Sequence, residues 1–249
     1  MISFNSKPVI LTILENEDYQ KLMGDIDALF IVYQCNGSKK INSPLPKNHQ
    51  VVYDITPNIR PDILLSQNKI NQYGIFRDMA KKYGAPILSL YHNIASPKDV
   101  DRTFAAKSNE DIFLSSDHAA AWGVSNPYII PPTTNKPIAK IAEPLVYSNK
   151  DISFNCVYKV LDSMATGNCV ISPAVYELNN IIKHGYNGFL YKKENPEKEK
   201  EIFYKLGKND DLIMEFGANA QKTIIEQFSK ASFTEKWNTL IKKYTNKEN

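Results

Sequence analysis

The chain has 249 residues, 43% of them hydrophobic and 23% charged, with a formal net charge of +3. That is enough for one large domain or two ordinary ones with sizeable cores, and the composition excludes a disordered or low-complexity chain. The mild charge does not call for a nucleic-acid or anionic-membrane partner, and no apolar run approaches the roughly 18 residues of a membrane span.

The first apolar run, PVILTIL (8–14), is short and lacks a small-residue cleavage site, so it reads as a strand and not a signal peptide. Similar runs follow: ALFIVYQ (28–34), QVVYDI (50–55), DILLSQ (62–67), PILSLYH (86–92), DIFLSS (111–116) and YIIP (128–131). They are apolar on both faces, as strands covered by helices on each side must be. Between two of them, NQYGIFRDMAKKYG (71–84) spaces Tyr73, Ile75, Phe76, Met79 and Tyr83 helically and stops at Gly84. Strands alternating with helices predict an α/β fold with a parallel sheet, and residues 1–125 read as a Rossmann-like domain.

The proline-rich stretch SNPYIIPPTTNKPIAK (125–140) reads as a linker around one short strand, with Lys136 and Lys140 solvated. Residues 126–229 then form a second, shorter α/β domain. It carries strands in EPLVYS (143–148), CVIS (169–172) and FLYK (189–192), a helix before Gly167, a second over ELNNIIKHG (177–185), and others near 195–207 and 210–228. The tail, 230–249, opens with a helix that places Phe233, Trp237, Leu240, Ile241 and Tyr244 on one face, for which the first domain is the candidate partner. Cys35, Cys156 and Cys169 are widely spaced, without a CxxC pair. They suggest neither a disulfide framework nor zinc, and they fit a reducing, cytoplasmic setting.

In the helix before Gly167, Val157, Val160, Leu161 and Met164 make the core face, while Lys159, Asp162 and Thr166 lie off it. Alone, Asp162 reads as a solvated acid near Lys159. Read over 158–190, however, YKVLDSMATGNCVISPAVYELNNIIKHGYNGFL resembles the nucleotide-sugar half of GT-B-fold glycosyltransferases, in particular the large retaining family (group 1). That family's pattern is a helix E-x-M-A-x-G, then P-V-I-A, a loop, I-I-x-x-G and N-G-x-L. The likeness continues into FGANAQKTIIEQFSKASFTEKWNTLIKKY (216–244) and is diffuse over the N-terminal side.

The resemblance implies two Rossmann-like lobes, the second abbreviated, and transfer of a sugar from a nucleotide-sugar donor, with retention and without a metal or other cofactor. Asp162 takes the place of the family's ribose-binding acid, one methylene shorter than the usual Glu. The stretch through Ser172, Ala174, Val175, Tyr176 and Glu177 is the expected diphosphate cradle, built from backbone N–H groups at a helix N-terminus, with Lys159 adding charge. The chain departs from the pattern in four places. Tyr176 and Glu177 stand where small glycines are usual, Phe154 where a sugar-holding acid would be, and Asn180 where another acid is common. Only about thirty residues separate the IPP exit from the helix, where the family has a longer stretch with basic phosphate clamps.

Catalytic and acceptor groups are expected on the first domain. His92 follows a strand, where parallel sheets collect ligands, and in many relatives a histidine near this place touches the donor sugar. Glu15, Asp18 and Asp54 also follow strands and could act as a base, and Asp117 with His118 forms an acid–imidazole pair in the same layer. Each alone also reads as an ordinary surface acid or a satisfied loop histidine. The acceptor is open: a glycan, a lipid, a small molecule, a protein side chain or a hydroxymethylated DNA base, since small phage-type enzymes that modify DNA share this fold. A DNA acceptor would require basic residues on one rim. A catalytically inactive nucleotide- or partner-binding module, or a nucleotide-sugar epimerase, are the competing readings. Oligomeric state is not legible.

Overall fold

The computed structural model describes residues 7–92, 107–138, 140–141, 143, 146–148, 156–175, 177–192, 194–195 and 197–245. The chain divides into two compact units, Met1–Ile130 with Thr234–Asn249, and Pro131–Phe233.

The first unit holds strands β1 (Val9–Thr12), β2 (Leu29–Tyr33), β3 (His49–Val52), β4 (Ile63–Ser66), β5 (Ile87–Leu90), β6 (Glu110–Phe113) and β7 (Tyr128–Ile129). They form one parallel sheet in the order β3-β2-β1-β4-β5-β6-β7. Each of the seven apolar runs supplies one strand. Leu11 pairs with Ile31 and Leu64, so these three share a face, and Ile10, Phe30 and Ile63 share the other. All six are buried, which is why the strand sequences show no polar alternation.

Helices occupy the crossovers. Helix α1 (Glu17–Leu22) starts at Asn16, whose side chain accepts from Tyr19 N–H. Helix α2 (Lys69–Tyr83) is capped by Asn68 and ends at Gly84, which takes the left-handed φ of 68° that a C-terminal cap requires. Its Phe76 is fully buried against Leu11, Ile31 and Leu64. Helix α3 (Ser116–Ala121) follows β6, with Ser115 as its N-cap.

The second unit has a parallel sheet of β8 (Val146–Ser148), β9 (Cys169–Pro173) and β10 (Gly188–Tyr191), in the order β10-β9-β8. Helix α4 (Cys156–Ala165) buries Val157, Val160, Leu161 and Met164 completely, as its spacing predicts. Helix α5 (Leu178–Ile181) is a single turn, shorter than the helix expected over 177–185. The cause is Asn187: its Oδ1 accepts from Lys183 N–H at 2.7 Å and its Nδ2 donates to Ile181 O at 3.1 Å, drawing the chain into a turn. Helices α6 (Glu197–Leu206) and α7 (Asp210–Gln227) complete this unit. Helix α7 serves two cores. Ala220 and Ile224 join Val160, Met164 and Ile181, whereas Ile213 and Phe216 join Ile171, Phe189 and Ile202.

The last helix, α8 (Lys230–Thr245), crosses the division between units at Thr234. Its Trp237, Leu240 and Ile241 are buried with the first unit, and Trp237 Nε1–H donates to Tyr19 Oη at 3.2 Å. Tyr244 Oη donates to Asn109 O at 2.9 Å. The aromatic stripe thus packs on the first domain from Trp237 onward, while Phe233 falls in the second unit. Among the described residues, no helix is long and apolar enough to cross a membrane.

Candidate functional site

In the first sheet the strand order reverses direction between β1 and β4, and ligands of open parallel sheets settle outside the carboxyl ends of the strands at such a point. Thr12 closes β1, Gln67 follows β4, and Tyr91 and His92 follow β5. All of these are buried, and four are polar or titratable, so each polar atom needs a partner.

Those partners form a directed chain. Thr12 Oγ1 donates its one proton to Leu65 O at 2.9 Å, so it can only accept from Gln67 Nε2, 3.0 Å away. Gln67 Nε2 also donates to Gln20 Oε1. Its Oε1 is left to face His92 Nε2 at 3.2 Å, so His92 carries its proton there. Gln20 Nε2 reaches His49 Nε2 at 2.7 Å, and His49 Nδ1 meets Asn48 Oδ1 at 2.8 Å. Asn48 Nδ2 donates to Met23 O and Ile26 O at 3.0 and 3.1 Å, which confirms Oδ1 as an acceptor. Both ends of the chain rest on backbone carbonyls, so the amide and tautomer orientations are determined by groups that can only accept. Gln72 braces the same edge, taking Gln67 N–H on its Oε1 at 2.9 Å and donating to Ile13 O at 3.3 Å.

His92 Nδ1 is buried without a partner among the described residues. Burial, with the nearby His118 adding to it, pushes the His92 imidazolium down to about 3, so the ring is neutral at ordinary pH. Tyr19 packs edge-on against it, with ring centroids 4.9 Å apart. Burial likewise lowers His49 to about 4.

The acids named from the sequence sit around this edge. Glu15 is partly buried, with Lys39 Nζ 3.6 Å away. Asp117 is exposed in the first turn of α3, whereas His118 is buried beneath it and its Nδ1 lies 3.5 Å from Leu114 N–H. Consecutive helical positions point about 100° apart, which separates the two. Asp18 and Asp54 are exposed. A cavity of about 410 Å³, lined by Lys7, Pro8, Asp27, Asp62, Asn238 and Lys242 among others, opens beside the residues that precede β1 and β4. It lies at the opposite end of the strands from His92.

In the second unit, Asp162 projects from α4 half-buried. Its Oδ1 accepts the hydroxyl of Thr134, and Thr134 Oγ1 accepts Lys136 N–H at 2.9 Å. The carboxylate therefore has one oriented oxygen and a second that Thr134 does not use. The stretch named as linker is thus partly structural: Thr133 and Thr134 are buried, and Thr133 Oγ1 donates to Phe228 O at 2.7 Å. Lys136 and Lys140 are exposed, as is Lys159.

The loop after β9 is already extensively bonded. Ser172 is fully buried and its hydroxyl donates to Pro173 O at 3.1 Å. Ala174 N–H donates to Tyr191 O at 2.8 Å and Val175 N–H to Pro173 O at 3.0 Å. Glu177 is buried and its carboxylate accepts from Asn180 Nδ2 at 3.2 Å. Tyr176 and Phe154 lie outside the described residues.

Sequence reasoning named His92 and Asp162 but not Gln20, His49, Gln67 and Thr134, which the structure links to them by hydrogen bonds. Gln67 carried a visible signal, an amide ending a strand with no other polar residue than a serine. Thr134, in a proline-rich run, carried none.

No family model matches the chain. A protein of Methanocaldococcus jannaschii described as an uncharacterized glycosyltransferase is 29% identical over 85 residues, 34% of this chain. The chain spans only 20% of that relative's length. Likeness to solved structures is broader. Sucrose-phosphate synthase from Thermosynechococcus elongatus superimposes with a TM-score of 0.70 at 10% identity, covering 95% of this chain and 99% of the other. HepE of Anabaena in complex with UDP-glucose gives 0.65 at 11% identity, covering 94% and 99%. The chain has the GT-B fold. The first unit is the seven-stranded Rossmann-like lobe of that GT-B architecture, and the second is its abbreviated counterpart, with three strands among the described residues.

Proposed function

We propose that this chain is a glycosyltransferase that moves a sugar from a nucleotide-sugar donor to an acceptor hydroxyl, with retention and without a metal. The observation that carries the reading is Asp162, a half-buried carboxylate at the position of the resemblance's ribose acid, oriented by Thr134 and carried on a helix whose other face is core. A carboxylate oxygen that Thr134 does not use can accept a ribose hydroxyl through a charge-assisted hydrogen bond. Further support comes from HepE, a structural neighbour solved with UDP-glucose. On the first unit, neutral His92 offers a lone pair to a sugar hydroxyl, and Glu15 and Asp117 are the carboxylates of that edge. Catalysis of this kind comes mostly from holding reactants in line and stabilising the departing diphosphate. The acceptor class is a glycan, a small molecule or a hydroxymethylated DNA base. Three cysteines outside any disulfide fit a cytoplasmic enzyme.

The test is binding of UDP, GDP and ADP and their sugars by calorimetry. One nucleotide should bind, and Asp162→Ala should weaken it about 10- to 100-fold, the worth of one or two hydrogen bonds to a charged group. Unchanged affinity would remove the ribose from α4. Mass spectrometry of the bound donor with glycan, small-molecule and DNA acceptors then names the product.

A second reading, an inactive nucleotide-binding module, is favoured by one observation: Ala174 and Val175 N–H are spent inside the loop and so are not offered to a diphosphate. Slow release of free sugar from the bound donor, without acceptor, distinguishes the transferase from the module.

A further inference from the structure

The proline-rich stretch that opens the second unit is fastened to that unit at two places. Near its start, Thr133 Oγ1 donates to Phe228 O at 2.7 Å and Thr134 Oγ1 donates to Asp162 Oδ1. Farther on, Ile141 packs against the end of α4, where a Cβ on Gly167 would come within 2.4 Å of Ile141 Cγ1. Between these anchors Asn135, Lys136, Pro137 and Ile138 are exposed. The stretch is thus a strap held along α4. Lys136 N–H donates to Thr134 Oγ1 at 2.9 Å, so one hydroxyl joins the backbone of Lys136 to the carboxylate of Asp162. Two hydrogen bonds separate them, and the flexible four-carbon stem of a lysine spans such a gap. Lys136 makes no ion pair among the described residues.

A nucleoside diphosphate whose ribose sits on Asp162 brings its phosphates close to a carboxylate, and like charges that close repel. The loop after β9 offers little relief. Its Ala174 and Val175 N–H groups are bonded within the unit, and Glu177 adds a buried carboxylate. The counter-charge has to come from another segment. We infer that Lys136 supplies it: its ammonium binds the diphosphate of the nucleotide whose ribose Asp162 holds, so the strap and not the loop after β9 carries the cation. This rests on the ribose placement of the glycosyltransferase reading. It gives Thr134 two tasks, since the same hydroxyl orients the ribose acid and anchors the backbone of the phosphate cation. The distance between the two contacts is then set by a residue that touches neither part of the ligand.

The experiment titrates wild type and variants with UDP and with uridine, or with the guanine or adenine pair if wild type prefers that base. Calorimetry reads the diphosphate and ligand-observed NMR the weaker nucleoside, each at low and at high salt. Lys136→Gln keeps the backbone N–H and with it the Thr134 contact. It should weaken UDP about tenfold at low salt, the worth of one charge-assisted hydrogen bond at an exposed site, and leave uridine unchanged. Lys136→Arg should restore most of the loss, and UDP binding to Lys136→Gln should depend less on salt than binding to wild type. Asp162→Ala should weaken both ligands. Unchanged UDP affinity in Lys136→Gln, while Asp162→Ala weakens both, overturns the inference and leaves the ribose placement standing. An equal loss of UDP and uridine in Lys136→Gln also overturns it, because Lys136 would then shape the strap without touching phosphate. So does an equal loss of UDP in Lys140→Gln, which would spread the effect over the whole strap. If wild type binds no diphosphate, or Asp162→Ala changes neither ligand, the ribose placement falls first and the inference falls with it.

Discussion

Asp162 shows how one residue's meaning depends on its partner. On the helix it is one of two charges, with Lys159, but Thr134 turns it into an oriented acceptor. Thr134→Val should therefore weaken nucleotide binding about three- to tenfold, since it keeps the volume but removes the hydroxyl's hydrogen bond to the carboxylate and the acceptor for Lys136 N–H. Calorimetry against the nucleotide chosen by the wild type checks this. The histidines give a second residue-level expectation. His49 and His92 are held neutral by burial, at about 4 and about 3, against an ordinary 6.5 when unfolded. Between those values the unfolded chain binds more protons than the folded one. Stability is therefore complete above pH 6.5 and is lost as pH falls toward 4 and then 3, by about 1.4 kcal/mol per pH unit for each proton by which the states differ. Urea unfolding at pH 6.5, 5.5 and 4.5 should show this slope, and His49→Gln should roughly halve it. Glu17 behaves as a depressed carboxylate of the same sign. The Ser43 hydroxyl and Asn42 N–H hold it down to about 2. Its contribution persists above the unfolded value of 4.5 and disappears as pH falls through about 2. Faster hydrogen exchange of Asn42 N–H in Glu17→Gln at neutral pH checks that contact.

At the scale of elements, the motif that carried the resemblance proves largely architectural. Gly167 ends α4 with a φ of +82°, and a Cβ there would come within 2.4 Å of Ile141 Cγ1. Helix α7 comes so close at Gly217 that a Cβ there would lie 2.1 Å from Gly167 O. Gly188 is similarly enclosed, with Val170 O 2.7 Å from where its Cβ would be. Asn187 ties Ile181 O to Thr223 Oγ1, joining α5 to α7. These residues fix how the helices and strands of the second unit pack against one another. Gly217→Ala should destabilise the protein by about 2–3 kcal/mol, because both clashing groups are backbone and cannot rotate away. Chemical denaturation measures the loss, and a cost near zero would mean that α7 can shift. The seven strands and α2 were legible because a strand buried on two faces and an amphipathic helix ending in glycine leave patterns within a dozen residues. The shortening of α5 was not, because the side chain that stops it comes from beyond the turn it creates.

For the molecule as a whole, the two tryptophans, Trp122 and Trp237, both belong to the first unit, while Cys156 and Cys169 are buried in the second. Fluorescence and thiol exposure therefore report different units. Trp237→Ala should lower the stability seen by the remaining Trp122 fluorescence by about 3–5 kcal/mol, since it empties a fully buried site and strips Tyr19 of its donor. Burial pushes the Cys169 thiol up to about 12, so in the native protein a thiol reagent should modify the half-buried Cys35 first and reach the other two only on unfolding. Composition and periodicity alone determined the α/β class, the strands of both sheets and the aromatic face of the last helix, because each follows from which side of an element meets water. Only the tertiary structure decided where α8 changes units, that Thr134 reaches Asp162 and that Gln67 orders two histidines. Those facts depend on segments far apart in the chain arriving within a hydrogen bond of each other, and no local pattern of residues encodes such an arrival.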